Sequence, residues 1–446
     1  MKQIAYLFFY LFFFQSICFS QSKFVVQNKK ETTKIKFQLI NNLVVIPVEI
    51  NGVKLSFLLD TGVSKSIIFN FLNITDSLQI KNSETIFLRG LGEGDAIKAL
   101  RSKKNILKVG DAININQELY AVYNPDLNFE PRLGVPLHGI IGYDLFKDLI
   151  VEINYSSKTL ILTNTSAYID KPCRKCETID LEFYKKKPYI YSEVTINKKQ
   201  IPVKLLIDSG GSDALWLFED DSLGIQSDNL FFKDFLGHGL SGSVYGKRSK
   251  VEGFSLKHFN FKQVNVSYPE ASSLAYVKQH KDRNGSLAGS ILRRFNVVFN
   301  YKNNQAIFKK NKHFSKPFRY NKSGIELEQN GIRLVKQKDY DHVNNSQFLG
   351  KGENFVKETI VINTKYKLAI KPAYSIVELR KDSPAEKAGL MVGDVILSIN
   401  NTSSEKLSLQ ELIHYFFDKD GKRIKLLVDR DDALLLFEFN LEDVFN

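Results

Sequence analysis

Two stretches of the chain alternate apolar and polar residues across an Asn-led turn. They are Val48-Glu49-Ile50-Asn51-Gly52-Val53-Lys54-Leu55 and Val194-Thr195-Ile196-Asn197-Lys198-Lys199-Gln200-Ile201-Pro202-Val203. Alternation broken by such a turn predicts a β-hairpin, a strand, a reversal and a second strand. In each case the second strand runs on into a continuous apolar segment that ends in Asp, a hydroxyl residue and Gly: Phe57-Leu58-Leu59-Asp60-Thr61-Gly62 and Leu205-Leu206-Ile207-Asp208-Ser209-Gly210. That sequence describes a buried strand that turns sharply and leaves its Asp at the mouth of the fold.

A single Asp-Ser-Gly or Asp-Thr-Gly is an ordinary turn. Here the surroundings repeat as well, which makes the pair an internal duplication. After each triplet, Ser64 to Phe69 and Ser212 to Leu217 return to apolar sequence, and each half then holds a Gly-rich stretch, Arg89 to Gly94 and Leu236 to Gly242. Each half also closes alike. Gly139-Ile140-Ile141-Gly142-Tyr143-Asp144-Leu145-Phe146 leads to Ile153-Asn154-Tyr155 and Leu160-Ile161-Leu162, while Ser286-Leu287-Ala288-Gly289-Ser290-Ile291-Leu292 leads to Phe299-Asn300-Tyr301 and Ala306-Ile307-Phe308. Two turns of this kind bring two carboxylates face to face. Carboxylates a few Å apart cannot both ionise cheaply, so they share a proton and titrate as a pair, one serving as base and the other as acid. Such a pair can activate a water for amide hydrolysis without a metal or a covalent intermediate.

These residues resemble the pepsin-like and retropepsin-like aspartic peptidases over roughly residues 35 to 310. The resemblance implies a mainly β, bilobed acid-protease fold of two pseudo-symmetric lobes, assigned here to residues 21–165 and 166–314. It implies Asp60 and Asp208 as the catalytic pair, Thr61 and Ser209 as hydrogen-bonding ties between the two turns, and Gly62 and Gly210 as the points where the backbone bends. The glycines of the two closing hairpins, Gly90, Gly92 and Gly94 in the first lobe and Gly237 and Gly239 in the second, are expected to serve as mobile lids, a role compatible with plain hairpin turns. Two departures from the pepsin pattern matter. Val63 and Gly211 stand where pepsins often have a hydroxyl that bonds the catalytic Asp, so the pair should titrate higher. No Tyr lies between Leu88 and Leu100, although Tyr245 follows the matching stretch of the second lobe.

The C-terminal residues change period. Asp382-Ser383-Pro384-Ala385-Glu386-Lys387-Ala388-Gly389-Leu390 followed by Gly393-Asp394-Val395-Ile396-Leu397-Ser398-Ile399-Asn400 predicts a Ser-Pro helix start, a Gly stop, a tight turn and a strand. This motif resembles PDZ domains, which implies an α+β module over residues 315–446 that adds an extended peptide to a sheet edge. The carboxylate loop is assigned to Gly324, Ile325 and Leu327, with Leu407 to Phe417 as the helical wall of the groove. A polar stretch from about Gln337 to Thr359 reads as a surface insertion. The module either binds peptides or only packs on the lobes.

The remaining features set the context. Lys2, the apolar run Ile4 to Phe14 and Gln15 to Gln21 read as a signal peptide covering residues 1–20, too short for a membrane span, so the protein is expected in the periplasm or outside the cell. Cys18 could mark a lipid anchor, but Gln15 and Ile17 fit that signal badly. Cys173 and Cys176 would then be the remaining cysteines, read as a local disulfide because no second Cys pair is present to complete a zinc site. The formal charge of +13 is scattered; Lys185-Lys186-Lys187 is the one run of three and reads as solvated surface, which argues against nucleic-acid binding. No cofactor or metal is expected. The expected partners are a peptide or unfolded-protein substrate and a peptide ligand for the PDZ-like module, and the chain is expected to be a monomer. The reading is an exported aspartic endopeptidase with a PDZ-like module; the alternative is a non-catalytic peptide-binding protein with decayed peptidase lobes.

Overall fold

The computed structural model describes residues 22–69, 78, 80, 83–88, 96–124, 127–170, 172–227, 230–239, 242–274, 282–338 and 366–445. The leader, the first-lobe lid glycines Gly90, Gly92 and Gly94, and most of the polar stretch 337–359 lie outside them. The chain divides into two compact units. One comprises residues up to 128 together with 137–318, and the other gathers 319–446 with the segment Phe129–Pro136.

The first unit is built from hairpins, as the alternation predicts. Strand β1 (Leu43–Ile50) turns through Asn51 and Gly52, both at positive φ, into β2 (Val53–Leu59), pairing Ile50 with Val53 and Val45 with Leu58. On its other side β2 pairs in parallel with β3 (Gly139–Ile141), the short strand of the Gly139 to Gly142 motif. These three lie at the centre of a nine-stranded sheet. Past β3 the chain makes one helical turn, Tyr143–Phe146, and enters β4 (Leu149–Asn154).

The second half repeats the scheme. Strand β5 (Lys187–Ile196) turns through Asn197 and Lys198 into β6 (Lys199–Asp208), and β6 pairs in parallel with β7 (Gly285–Ala288) within an eight-stranded sheet. A helical turn, Gly289–Leu292, then leads to β8 (Phe295–Asn300). Strands β4 and β8 pair antiparallel, Val151 with Phe299 and Ile153 with Val297, in the middle of a six-stranded sheet to which both halves contribute. One apolar core runs through both halves, and Phe146 packs edge-on against Phe299 at its centre. Duplicated sequence thus becomes duplicated structure, joined where the two closing segments meet.

The second unit is a six-stranded sheet with short helices. Its edge strand β9 (Ile325–Lys338) pairs with Tyr366–Leu379. Ser383 caps the helical turn Pro384–Lys387, accepting from the Glu386 amide, as the Ser-Pro reading predicts. A capping box of Ser408 and Glu411 starts helix α1 (Leu409–His414), which a tighter turn extends to Phe417. Among the described residues no helix is long and apolar enough to cross a membrane.

Two glycines allow the close antiparallel pairing on the far side of β3 and β7, the strands that support the Asp-bearing ones. A Cβ on Gly139 would lie 2.4 Å from the Ile67 carbonyl oxygen, and one on Gly285 would lie 1.8 Å from that of Trp216. Neither obstacle is the end of a flexible side chain, so the strands would have to separate. Gly285→Ala is therefore expected to cost about 3 kcal/mol or more in urea denaturation. A loss under about 1 kcal/mol would mean that the ladder at β7 is not the brace described.

Candidate active site

Each Asp stands where its strand stops. Asp60 follows β2, and its amide still donates to the Ile141 carbonyl at 2.8 Å; Asp208 is the last residue of β6 and lies beside Ala288 of β7. The turns that follow are held by one another. The Thr61 amide donates to Ser209 Oγ and the Ser209 amide to Thr61 Oγ1, both at 3.0 Å. Each hydroxyl then donates across to the other strand, Thr61 Oγ1 to the Ile207 carbonyl at 2.7 Å and Ser209 Oγ to that of Leu59 at 2.8 Å. Both side chains are buried, and every polar group in the bridge has a partner.

The bridge sets the carboxylates against each other. A single point, where a Cβ on Gly62 would sit, lies 3.1 Å from Oδ1 of Asp60 and 3.1 Å from Oδ1 of Asp208, so the two oxygens are separated by at most twice that distance. The matching point on Gly210 lies 2.4 Å from Oδ2 of Asp60. Any side chain at Gly62 or Gly210 would enter the space between the acids. Their amides face inward instead, Gly62 donating to Asp60 Oδ1 at 2.6 Å and Gly210 to Asp208 Oδ1 at 3.1 Å.

Burial and the neighbouring charge of Asp208 push the Asp60 carboxyl up to about 7, against the pull of the Gly62 amide, Lys187 and the Gly210 amide. The sequence reading expects a high titration from the missing hydroxyls at Val63 and Gly211; the structure names burial as the larger cause. Gly211 leaves little room for a hydroxyl, because a Cβ there would lie 3.2 Å from that of Ala288.

The structure brings Asp60, Thr61, Gly62, Asp208, Ser209 and Gly210 into one site. Gly237 and Gly239 lie in a hairpin of Phe232–Gly239 and Gly242–Leu256, with an irregular register between Phe235 and Gly237 and open space around Gly237. Tyr245 of that hairpin is exposed and packs edge-on against Phe235. The run Lys185-Lys186-Lys187 is not uniformly solvated surface. Lys185 and Lys186 form an exposed turn, but Lys187 is half-buried, and the charges of Asp60 and Asp208 act on it. Strand register was the signal that could have found it: β5 pairs Tyr189 with Leu206, and continuing that register two places sets Lys187 opposite Asp208.

In the second unit Gly324 takes a positive φ against Ser383, and the Gly324 and Ile325 amides donate to Asn321 Oδ1 and Ser323 Oγ. Ile325 and Leu327 point into that unit's core. The three residues thus lie where the edge strand begins, two of them buried and two of their amides held within the loop. Beside β9 and α1 lies the unit's own segment 129–136: Arg132 pairs with Glu328 at 2.7 Å and Glu378 at 2.9 Å, Gln410 donates to the Leu133 carbonyl, and Gly134 abuts Leu409.

Residues 46–145 match the family model of aspartyl proteases, and residues 375–430 match that of PDZ domains. The chain thus combines an aspartyl protease domain with a C-terminal PDZ domain. The first match contains Asp60 and its turn, and the repeat and the shared bridge connect Asp208 to it. No curated protein matches the chain.

The raised Asp60 has a sign for stability. Between about 4, where an unfolded Asp titrates, and about 7, the folded chain holds a proton that the unfolded chain releases, so stability falls as pH rises through that window. Asp60→Asn is expected to remove the fall and to melt a few degrees above wild type at pH 8, with no gain near pH 4. Equal melting temperatures at both pH values would show that Asp60 is not raised.

Proposed function

We propose that this protein is an exported aspartic endopeptidase whose Asp60/Asp208 pair activates water. The observation that carries the reading is the reciprocal Thr61–Ser209 bridge, which sets two half-buried carboxylates on either side of one point. With Asp60 holding the shared proton, Asp208 is the base. A water between them gives a proton to Asp208 as its oxygen bonds to the peptide carbonyl carbon, and Asp60 gives its proton to the carbonyl oxygen. The tetrahedral diol then breaks its C–N bond. The nitrogen takes up a proton from Asp208, one hydroxyl returns its proton to Asp60, and an acid and an amine leave. Export rests on the Lys2 to Gln21 leader pattern and agrees with a bonded Cys173–Cys176 pair.

Asp60→Asn and Asp208→Asn are each expected to lower kcat/KM on an unfolded protein substrate by at least about a hundredfold. A statine-type transition-state mimic should inhibit wild type. An Asp208→Asn variant as active as wild type would refute the pair and favour the binding-protein alternative. Activity should persist into mildly acidic and near-neutral solution and fall as pH passes about 7, when the pair loses its shared proton. An optimum at about pH 2 to 3 would contradict the raised pair, since that range belongs to acids stabilised in their charged form.

We further propose that the PDZ domain binds extended peptide along β9 and α1, in competition with residues 129–136. Arg132→Ala removes two partly exposed ion pairs, worth about 0.5 to 1 kcal/mol each. Affinity for peptides selected from a random library should rise by roughly three- to tenfold or more. Unchanged affinity would mean that the segment does not occupy the peptide path.

A further inference from the structure

The two lobes place the same hairpin beside each Asp but fill it differently. Ile40 pairs with Leu43 across the Asn41–Asn42 turn, and Tyr184 pairs with Lys187 across the Lys185–Lys186 turn. The turn residues have matching positive φ values, 46° and 69° in the first and 47° and 67° in the second. Continuing the β1–β2 register two places beyond Val45 and Leu58 sets Leu43 opposite Asp60, just as Lys187 is set opposite Asp208. Leu43 is buried apolar core, and Lys187 takes its place in the second lobe.

A second substitution of the same kind lies on the neighbouring strand. His138 accepts the Ser56 amide through Nδ1, and Asn284 accepts the Lys204 amide through Oδ1, which makes these two residues equivalent. The residue before His138 is Leu137, 1% exposed; the residue before Asn284 is Arg283. Its Nε donates to the Gly285 carbonyl at 3.0 Å, its Nη2 to Ser286 Oγ at 2.6 Å, and its plane lies over Phe218. Ser286 stands beside Leu206, two residues from Asp208 on the same face of β6.

Two apolar positions of the first lobe are therefore cations in the second, both half-buried and both beside Asp208. Cross-strand neighbours have Cβ atoms about 5 Å apart on one face, so Lys187 and the acid share a surface. Burial lowers Lys187 and Arg283 alike, the charge of Arg283 lowers Lys187 further, the charges of Asp60 and Asp208 raise Lys187, and that of Asp208 raises Arg283. Among the described residues no carboxylate forms an ion pair with either cation. Half-buried cations that lie near the acids yet make no direct ion pair favour a ligand that supplies one. Arg283, with two donors already committed, still has others free for a planar acceptor.

We propose that Lys187 and Arg283 form a carboxylate-binding subsite next to Asp208, selecting peptides that present an acidic group within one or two residues of the scissile bond. This rests on the peptidase reading above. The carboxylate can come from an Asp or Glu side chain or from a peptide C-terminus.

The test compares wild type with Lys187→Met and Arg283→Met on peptide pairs that differ only by Glu or Gln at each position flanking the cut, with amidated ends, and on the same Gln peptides with free ends. Ratios of kcat/KM cancel any change in the Asp pair itself. Wild type should favour the acidic member by about tenfold or more, and each variant should lose most of that ratio, with Arg283→Lys restoring part of it. Preference among amidated peptides identifies a side chain; preference for free ends identifies a terminus. A wild-type ratio near one in both series, or a ratio that survives both substitutions, overturns the subsite. If wild type cleaves nothing, the peptidase reading fails, and calorimetry with statine peptides bearing Glu or Gln decides the subsite by itself. Tighter Glu binding that the variants lose upholds it, and equal binding overturns it.

Discussion

The structure of the first unit depends on one reciprocal contact, in which Thr61 and Ser209 each accept the other's amide and each donate to the other's strand. Four hydrogen bonds among two buried hydroxyls leave no polar group unmatched, so neither turn can shift without orphaning the other. Removing one hydroxyl would leave a buried amide unpaired at a cost of about 1–3 kcal/mol. The two acids inherit their spacing from this bridge. Their own mutual repulsion, visible in the upward push on Asp60, works against the arrangement, and the surrounding ladder absorbs it. The β4–β8 pairing and the shared core carry the load further out, where sequence-distant strands hold the two halves together.

Much of this was legible in the chain because duplication writes the same instructions twice. The Asn-led turns at Asn51 and Asn197, the apolar strands ending at Asp60 and Asp208, and the small residues at Gly139 and Gly285 are local signals, and local signals survive without knowledge of the fold. The Ser383 and Ser408 caps are of the same kind. What was not legible depended on register or on contacts between distant segments. Lys187 is one of three lysines in a row, and nothing in that run distinguishes the turn residues from the one that faces an acid until the pairing of β5 with β6 is fixed. Arg283 is likewise an ordinary surface residue in sequence and a neighbour of Asp208 only through the parallel placement of β7. Gly324, Ile325 and Leu327 drew attention as a glycine-led loop, but the side chains of Asn321 and Ser323 close its amides. The place of residues 129–136 beside β9 and α1 could not be read from either segment alone.

The symmetry of the backbone makes the asymmetry of the side chains informative. Where the first lobe buries Leu43 and Leu137, the second holds Lys187 and Arg283, although an apolar pair would pack there at lower cost. Charges kept in a half-buried position beside an acid are expensive unless something uses them. The same asymmetry separates the two acids. Lys187 interacts with both acids and lowers Asp60 against the upward push of burial and Asp208, whereas Arg283 interacts with Asp208, so the second cation sets the surroundings of the two acids apart. Different fields are what allow one of a matched pair to hold the proton while the other accepts one.

The most direct measurement of that central claim is a carbon-13 NMR titration of the Asp60 and Asp208 carboxyls in selectively labelled protein, repeated with Asp208→Asn. A pair sharing one proton predicts that each carboxyl signal follows two steps, with the higher step near pH 7 on Asp60, and that Asp208→Asn moves Asp60 downward by removing a neighbouring charge. Two independent single-step curves, or an Asp60 titration that does not move in the variant, would show that the carboxylates do not share a proton and would contradict the account.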